Sequence, residues 1–226
     1  MTRMQLVVIG NGMAGMRTVE ELLQLAPDKY DITVIGREPH GNYNRIMLSP
    51  VLAGEKAFED IVIHPLSWYA ERGITLLAGH TVTGVDRVQR CVSTDQGVVV
   101  RYDRLLLATG SVPFMIPMPG HDHPDVISFR DIADVRRMLA PSATPPRVVV
   151  LGGGLLGLEA ANGLVKQGMA VTVVNDAAYL LNRQLDEEAS SLLRAALEAK
   201  GIAFKVAAAT SHISHNADTG KLNALH

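Results

Sequence analysis

The sequence predicts an α/β protein built from two strand–turn–helix units, each contributing to a parallel sheet. The first observation is a glycine pattern that occurs twice. Gly10-Asn11-Gly12-Met13-Ala14-Gly15 follows the apolar run Leu6-Val7-Val8-Ile9, and Gly152-Gly153-Gly154-Leu155-Leu156-Gly157 follows Val148-Val149-Val150-Leu151. The second is that each pattern opens a stretch with helical spacing of apolar residues and then a further apolar run. The third is that these runs are continuously apolar, as in strands covered on both faces. One G-x-G-x-x-G is common in ordinary turns, whereas two in strand-to-helix context point to two dinucleotide sites. The first glycine permits the tight turn, the second lets backbone approach a pyrophosphate, and the third lets the helix pack on the strand. Free N–H groups at the helix start, with the positive end of its dipole, then hold the phosphates.

Element by element, strand 4–9 leads into a helix near 13–26 carrying Met13, Met16, Val19, Leu22 and Leu23, closed by Pro27-Asp28. Strand 31–35 follows, then a loop from Gly36 to Pro50. A helix is expected over 61–72, with His64-Pro65 at its start and Gly73 after it. A short strand, 74–77, precedes three β-type pieces at 81–86, 90–94 and 97–102, turned by Asp95 and Gly97. Arg104–Gly110 reads as a buried strand ending in a tight turn. The four prolines between Pro113 and Pro124 mark an irregular crossover. A helix at 130–140 and a linker marked by Pro141, Pro145 and Pro146 lead to the second unit. There the pattern repeats as strand 147–151, helix 155–167 stopped by Gly168, and strand 170–174. Helix 186–199 and strand 202–207 follow. The tail, 211–226, looks like a turn region (Asn216–Gly220) that ends before its partner strand. Doubly wound domains carry more strands than remain here, so the second unit is expected to be incomplete at its C-terminal end. The boundary between units is expected at 144/145.

Composition limits the function classes. The chain of 226 residues is 47% hydrophobic, enough for a sizeable core. A net charge of −2 and a pI near 6.4 give no footprint for nucleic acid or a membrane surface. No apolar stretch reaches the roughly 18 residues of a membrane span. The N-terminal apolar run is short and ends in the glycine pattern, so it reads as a strand and not a signal peptide. The single cysteine, Cys91, excludes an internal disulfide and any cysteine-based metal or iron–sulfur site within the chain. This usage fits a reducing cytoplasm.

Four segments carry a family resemblance: Val8–Gly15, Glu38–Ser49 with its Asn42-Tyr43-Asn44-Arg45 loop, Leu107–Ser111, and Gly152–Ala161. Gln184-Leu185-Asp186 fits as well. Over essentially its whole length the chain resembles the two-dinucleotide flavoprotein disulfide-reductase superfamily. Within it the sequence is most similar to the N-terminal flavin module of NAD(P)H-dependent nitrite reductase large subunits, and next to rubredoxin and ferredoxin reductases. The implied fold is two Rossmann-like units of the FAD/NAD(P)-binding type. A small β-meander, about 80–102, would be inserted in the first.

The resemblance assigns the first glycine pattern to FAD and the second to NAD(P)H. Gly10, Gly12, Ala14 and Gly15 would cradle the FAD pyrophosphate. Glu38 would bind the adenosine ribose, leaving Arg37 as a surface or phosphate contact. Arg45 would lie over the FAD phosphates, a task suited to an always-charged guanidinium. Val82 would meet adenine through its backbone, and Ala108-Thr109-Gly110 would close around the flavin. Gly152, Gly154, Leu155 and Gly157 would form the second phosphate turn, and Glu159 would lie near the flavin–nicotinamide junction. After the second strand of that unit an acid favours NADH, while an arginine accepts the 2′-phosphate of NADPH. Here Asn175-Asp176 stand at that place, a slight lean to NADH that leaves the choice open.

No side chain is expected to act as a nucleophile or general base, since the cofactors carry the chemistry. Disulfide reductases need a redox cysteine beside the flavin, and the loop Asn42–Leu48 has none. Cys91 is expected to be a small buried hydrophobe, and Trp68-Tyr69 to serve packing. His121-Asp122-His123 lacks further ligands at metal spacing, so no metal site is expected. The implied activity is hydride transfer from NAD(P)H to FAD. Electrons would then pass to a redox partner domain or protein. In the nitrite reductases that partner holds iron–sulfur and sirohaem centres, which would lie in parts absent from this chain. A rubredoxin or ferredoxin reductase is the first alternative. A dinucleotide-binding module without activity is the second, because the family's FAD site is completed by a later segment that nothing here matches. The oligomeric state stays open, a homodimer included.

Overall fold

The computed structural model describes residues 3–141 and 146–226. Pro145 and the expected 144/145 boundary fall outside them. In chain order the elements are β1 (Met4–Ile9), α1 (Met13–Leu25), β2 (Tyr30–Gly36), β3 (Asn42–Tyr43), α2 (Leu48–Leu52), β4 (Val62–His64), α3 (Leu66–Glu71), β5 (Thr75–Ala78), β6 (Val82–Asp86), β7 (Cys91–Thr94), β8 (Val99–Arg101) and β9 (Arg104–Leu107). They continue with α4 (Ile132–Met138), β10 (Arg147–Leu151), α5 (Leu155–Lys166), β11 (Ala170–Val174), α6 (Glu187–Glu198), β12 (Ile202–Lys205), β13 (Ile213–His215) and β14 (Leu222–Leu225). Contacts divide the chain into two compact units, Met1–Arg45 with Glu59–Ser111, and Ile46–Phe58 with Val112–His226.

The first unit holds a parallel sheet in the order β5-β2-β1-β9. Successive side chains of a strand point to opposite faces, and β1 is apolar on both. Leu6 and Val8 pack with Met16 and Val19 of α1 and with Ile32, Val34, Tyr69 and Ile74. Val7 and Ile9 pack with Ile35 and Val92, under Val82, Val100 and Tyr102 of the antiparallel meander β6-β7-β8. One face is thus covered by helices and the other by the inserted meander, so the continuous apolar run is required. Each fully buried aliphatic side chain contributes about 1.5–3 kcal/mol.

The second unit holds the parallel sheet β10-β11-β12. Helix α5 buries Leu158, Ala160, Ala161 and Leu164. Gly163 lets α2 come close: a Cβ there would lie 2.8 Å from Leu52 Cγ. Gln167 also donates to the Leu52 carbonyl at 3.0 Å, and Lys166 pairs with Glu55. Helix α4 starts in a capping box between Asp131 and Asp134.

The α/β expectation with two Rossmann-like units and a meander holds, and three local expectations are corrected. Ile61 ends a short 3-10 turn (Glu59–Ile61), and residues 62–64 are not helical. Val62–His64 form β4, paired with β3, and the helix spans only Leu66–Glu71. Val62 and Ile63 are β-branched, and the residue before a proline is pushed toward extended geometry. The expected loop from Gly36 to Pro50 contains β3 and the start of α2. The tail has its partner strand: β13 pairs antiparallel with β14. The Asn216 side chain turns the chain between them by accepting from the N–H groups of Asp218 and Thr219, both at 2.9 Å.

Candidate functional site

Both glycine loops share a backbone plan, a first glycine at positive φ, a second at the helix N-cap and a third packed on the turn, while Gly152, unlike Gly10, has open space at its Cβ position. At Gly10 φ is +113°, and an added Cβ would sit 2.1 Å from the Ala108 carbonyl oxygen, so β9 closes directly against the turn. Gly152 has φ +105°. The third glycines lie against their own turns. A Cβ at Gly15 would be 2.8 Å from Gly10 O, and one at Gly157 would be 2.1 Å from Gly152 O. The second glycines differ in kind. Gly12 and Gly154 are the N-caps of α1 and α5 in ordinary extended geometry, and an added Cβ would meet nothing within 4 Å.

This combination fits a pyrophosphate. The open side of each loop is bare backbone, where a side chain would intrude on a ligand. Neither helix has a side-chain cap or an acid in its first turn, so the helix-start N–H groups face no competing acceptor or repelling carboxylate. Ala14 and Leu155, both exposed, lie in these first turns.

In the first unit, Glu38 and Arg45 come together. The Arg45 guanidinium donates to Glu38 Oε1 at 2.5 Å, and the Tyr43 hydroxyl donates to Oε2 at 2.7 Å. Arg45 also lies over the Tyr43 ring at 5.2 Å. Arg37 is exposed. Ala108 continues the β9 pairing by donating to Ile9 O at 2.8 Å. Thr109 and Gly110 are exposed after it, Gly110 with φ +70°. Val82 starts β6, opposite Thr94.

A buried polar network anchors this loop, and sequence reasoning missed it. The Tyr69 hydroxyl donates to Asn11 Oδ1 at 2.6 Å and accepts from the Asn42 N–H at 3.1 Å. Asn11 Nδ2 donates to His40 O, and Asn42 Nδ2 donates to Asn11 O, both at 3.0 Å. His64 joins Asn42 Oδ1 at 3.2 Å to Glu20 Oε1 at 2.8 Å. Burial pushes the Tyr69 hydroxyl pKa up to about 12. Trp68 packs on His64, ring centroids 4.1 Å apart. The one readable signal was His64-Pro65, which forces His64 into extended geometry.

In the second unit, Glu159 is exposed on α5 and accepts from the Ser49 hydroxyl at 2.5 Å. Asn175 is buried, and its side chain is bonded to backbone. Oδ1 accepts from the Gly153 N–H at 3.0 Å, and Nδ2 donates to the carbonyls of Ala177 and Tyr179 at 3.1 Å each. Asp176 is exposed and accepts from the Ala177 N–H at 2.8 Å. His121 and His123 meet backbone carbonyls of Met118 and Gly220. Among the described residues no group of three or more His, Cys, Asp or Glu could hold a metal ion. Cys91 is half-buried in β7 and not fully buried as expected. No helix among the described residues is long and apolar enough to cross a membrane.

The sequence pattern of the pyridine nucleotide-disulphide oxidoreductase family matches residues 4–225. The chain belongs to this family. Among curated relatives, a nitrite reductase [NAD(P)H] of Bacillus subtilis (strain 168) is 48% identical over 213 residues, covering 94% of this chain and 26% of the relative. An assimilatory nitrate reductase electron transfer subunit of the same organism is 44% identical over 214 residues, covering 95% and 28%. The chain therefore spans about a quarter of the length of these relatives. Among solved structures, a covalent putidaredoxin reductase–putidaredoxin complex matches with a TM-score of 0.86 at 27% identity, covering all of this chain and 55% of that one.

Proposed function

We propose that this chain is the dinucleotide-binding part of an NAD(P)H-dependent flavoprotein that delivers electrons to metal centres, as in assimilatory reduction of nitrite to ammonium. One observation carries the reading: two glycine loops stand in one chain, each with an open second glycine at an uncapped helix start. The names of the two Bacillus subtilis relatives support the direction of electron flow.

FAD, when bound, supplies the chemistry by accepting a hydride from NAD(P)H and passing electrons on. The chain's residues bind and orient. The loop at Gly10, Gly12, Ala14 and Gly15 holds the flavin dinucleotide. Glu38 and Arg45, already paired, provide an acceptor for ribose hydroxyls and a cation for phosphate. Val82 and Ala108-Thr109-Gly110 border the same ligand. The loop at Gly152, Gly154, Leu155 and Gly157 holds NAD(P)H, and the Ser49 hydroxyl fixes the Glu159 carboxylate on the first turns of α5. The electrons leave for a redox domain or protein that holds iron–sulfur and sirohaem groups. The free thiol of Cys91 supports a reducing, cytoplasmic setting.

A second reading, a reductase serving a separate redox protein, is favoured by the likeness to the putidaredoxin reductase complex. The first test is absorbance after adding FAD and gel filtration, followed by anaerobic NADH. Retained flavin bands that bleach with NADH are expected. Retained flavin without bleaching removes the second loop from the reading, and a chain that retains none in any length of the gene product removes the first.

A further inference from the structure

The two loops share one detail that their sequences hide. The turn N–H groups of Gly10 and Gly152 donate to Ile35 O and Val174 O, each at 2.8 Å. Ile35 and Val174 therefore occupy the same place in their units. The residues that follow, Gly36 and Asn175, correspond, and so do the loop residues Asn11 and Gly153. Asparagine and glycine have changed places between the two pairs. A Cβ added to Gly36 would lie 2.7 Å from Asn11 Cβ, and one added to Gly153 would lie 2.7 Å from Leu180 Cδ2 and 3.1 Å from Asn175 Cγ. A carboxamide thus stands against the bare glycine in each unit, supplied by the loop in the first and by the strand end in the second, where it shares that space with Leu180. One of its bonds corresponds too, while the oxygens differ, Asn11 Oδ1 taking the Tyr69 hydroxyl and Asn175 Oδ1 the Gly153 N–H. Asn11 Nδ2 donates to His40 O, four residues after Gly36 in the chain, and Asn175 Nδ2 donates to Tyr179 O, four after Asn175.

We propose that Asn175 is a positioning residue of the second phosphate loop and not a ligand of the adenosine ribose. The proposal rests on the reading of that loop as a coenzyme site. Asn175 is 8% exposed. Both of its amide hydrogens are engaged, by Ala177 O and Tyr179 O, and its oxygen takes the Gly153 N–H. A primary amide has two N–H donors, both taken here, and an oxygen with two lone pairs; one lone pair takes the Gly153 N–H, and the burial of the residue keeps the other from serving as the open acceptor that a ribose hydroxyl needs. The bonds join the loop to the segment after β11 from both sides, because Leu181 N–H in turn donates to Gly153 O at 3.0 Å. Leu181 is held at φ +50°, a backbone state that persists where surrounding contacts fix it. The Gly153 amide is therefore withdrawn from the phosphate, and the donors from Gly154 onward are held at a fixed height. Among the described residues the corresponding N–H in the first unit, that of Asn11, has no acceptor. The first loop presents one more donor than the second.

The test separates the two roles by sign. Asn175→Asp keeps an oxygen for Gly153 but sets a carboxylate against two carbonyls. We expect NADH affinity, read by titration, to fall roughly tenfold, whereas a ribose ligand turned into an acid would bind NADH more tightly. Asn175→Ala should weaken NADH and NADPH by the same factor. Loss concentrated on NADH would mark a ribose contact and overturn the proposal. FAD retention and far-UV circular dichroism, unchanged in both variants, exclude general unfolding. Amide hydrogen exchange of the ligand-free protein gives an independent reading. Gly153 should be protected in the parent chain and exchange at least about tenfold faster in Asn175→Ala, with Gly10 unaltered. An unprotected Gly153 in the parent chain overturns the proposal whatever the coenzyme result. A protected Gly153 in a chain that binds neither coenzyme sinks the functional reading and leaves the loop-positioning role standing.

Discussion

Gly10→Ala and Gly12→Ala test whether the glycines of one loop divide into structural and ligand-facing positions. At Gly10 the methyl group would overlap the Ala108 carbonyl, 2.1 Å away, on a backbone at φ +113°. Strain at such an angle costs about 1–3 kcal/mol, and overpacking against backbone about 1–3 more, so the ligand-free protein should lose about 4 kcal/mol. At Gly12 the backbone is ordinary, φ −88° and ψ 176°, and the methyl group would meet nothing within 4 Å. Only the weaker N-cap preference of alanine remains, at most about 1 kcal/mol. With a urea slope of about 2 kcal/mol/M, the midpoint should fall by about 2 M for Gly10→Ala and by no more than about 0.5 M for Gly12→Ala. FAD binding should reverse that ranking of damage per unit of stability. Gly12→Ala, though folded, should lose on the order of 100-fold in affinity, because its methyl group occupies the open side of the loop. Urea titration followed by flavin absorbance after gel filtration reads both quantities. A Gly12→Ala protein that keeps flavin as the parent does, or one destabilised as much as Gly10→Ala, would refute the division.

Three further outcomes are expected. Tyr69→Phe removes a buried hydroxyl that serves Asn11 and Asn42, and should cost about 1–3 kcal/mol in urea unfolding. Because folding raises the Tyr69 pKa to about 12, the neutral hydroxyl's contribution is complete below about pH 10 and lost between about pH 10 and 12. The alkaline fall in stability should therefore be shallower in Tyr69→Phe, as urea midpoints from pH 8 to 12 would show. Glu38→Ala breaks a part-buried pair with Arg45 and should cost on the order of 1 kcal/mol without ligand. Its thermal shift on adding FAD should be clearly smaller than the parent's. Gly163→Ala places a methyl group 2.8 Å from the fully buried Leu52 side chain, and should destabilise by about 1–3 kcal/mol of overpacking, less about 1 kcal/mol of improved helix propensity. Circular-dichroism melts of α-helical signal would read the net loss.

Strands β1 and β2 were legible because burial demands unbroken apolar runs, β10 and β11 because a β-branched run recurs beside the second glycine loop even though β10 is only part-buried, and the glycine loops because their backbone states exclude side chains. The segment from Asn42 to His64 was not. Its pairing joins residues about twenty positions apart, and the β-branched run ahead of Pro65 reads as part of a helix over 61–72 that starts at His64-Pro65 and stops at Gly73. The hairpin strand Leu222–Leu225 is short and half-exposed, so it carries little periodic signal. At the site, Glu38 and Arg45 were reached through the family resemblance of their loop, and the structure shows their mutual pairing. The Glu20–His64–Asn42–Asn11–Tyr69 network was beyond reach, since its members are ordinary residue types whose proximity only the fold creates. Asn175 stood at the position where an acid would speak for a ribose contact, and nothing local shows that its amide turns inward.

The exchange of asparagine and glycine between the loops makes them poor interchangeable cassettes. Grafting the second hexapeptide into the first unit would replace Asn11 by glycine, leave the Tyr69 hydroxyl without its acceptor, and open a gap beside Gly36. The reverse graft would press two carboxamides into one slot beside Asn175. Sequence drift at either turn is therefore confined to paired steps: positions 11 and 36 should covary across related chains, as should 153 and 175, each pair keeping one carboxamide and one glycine.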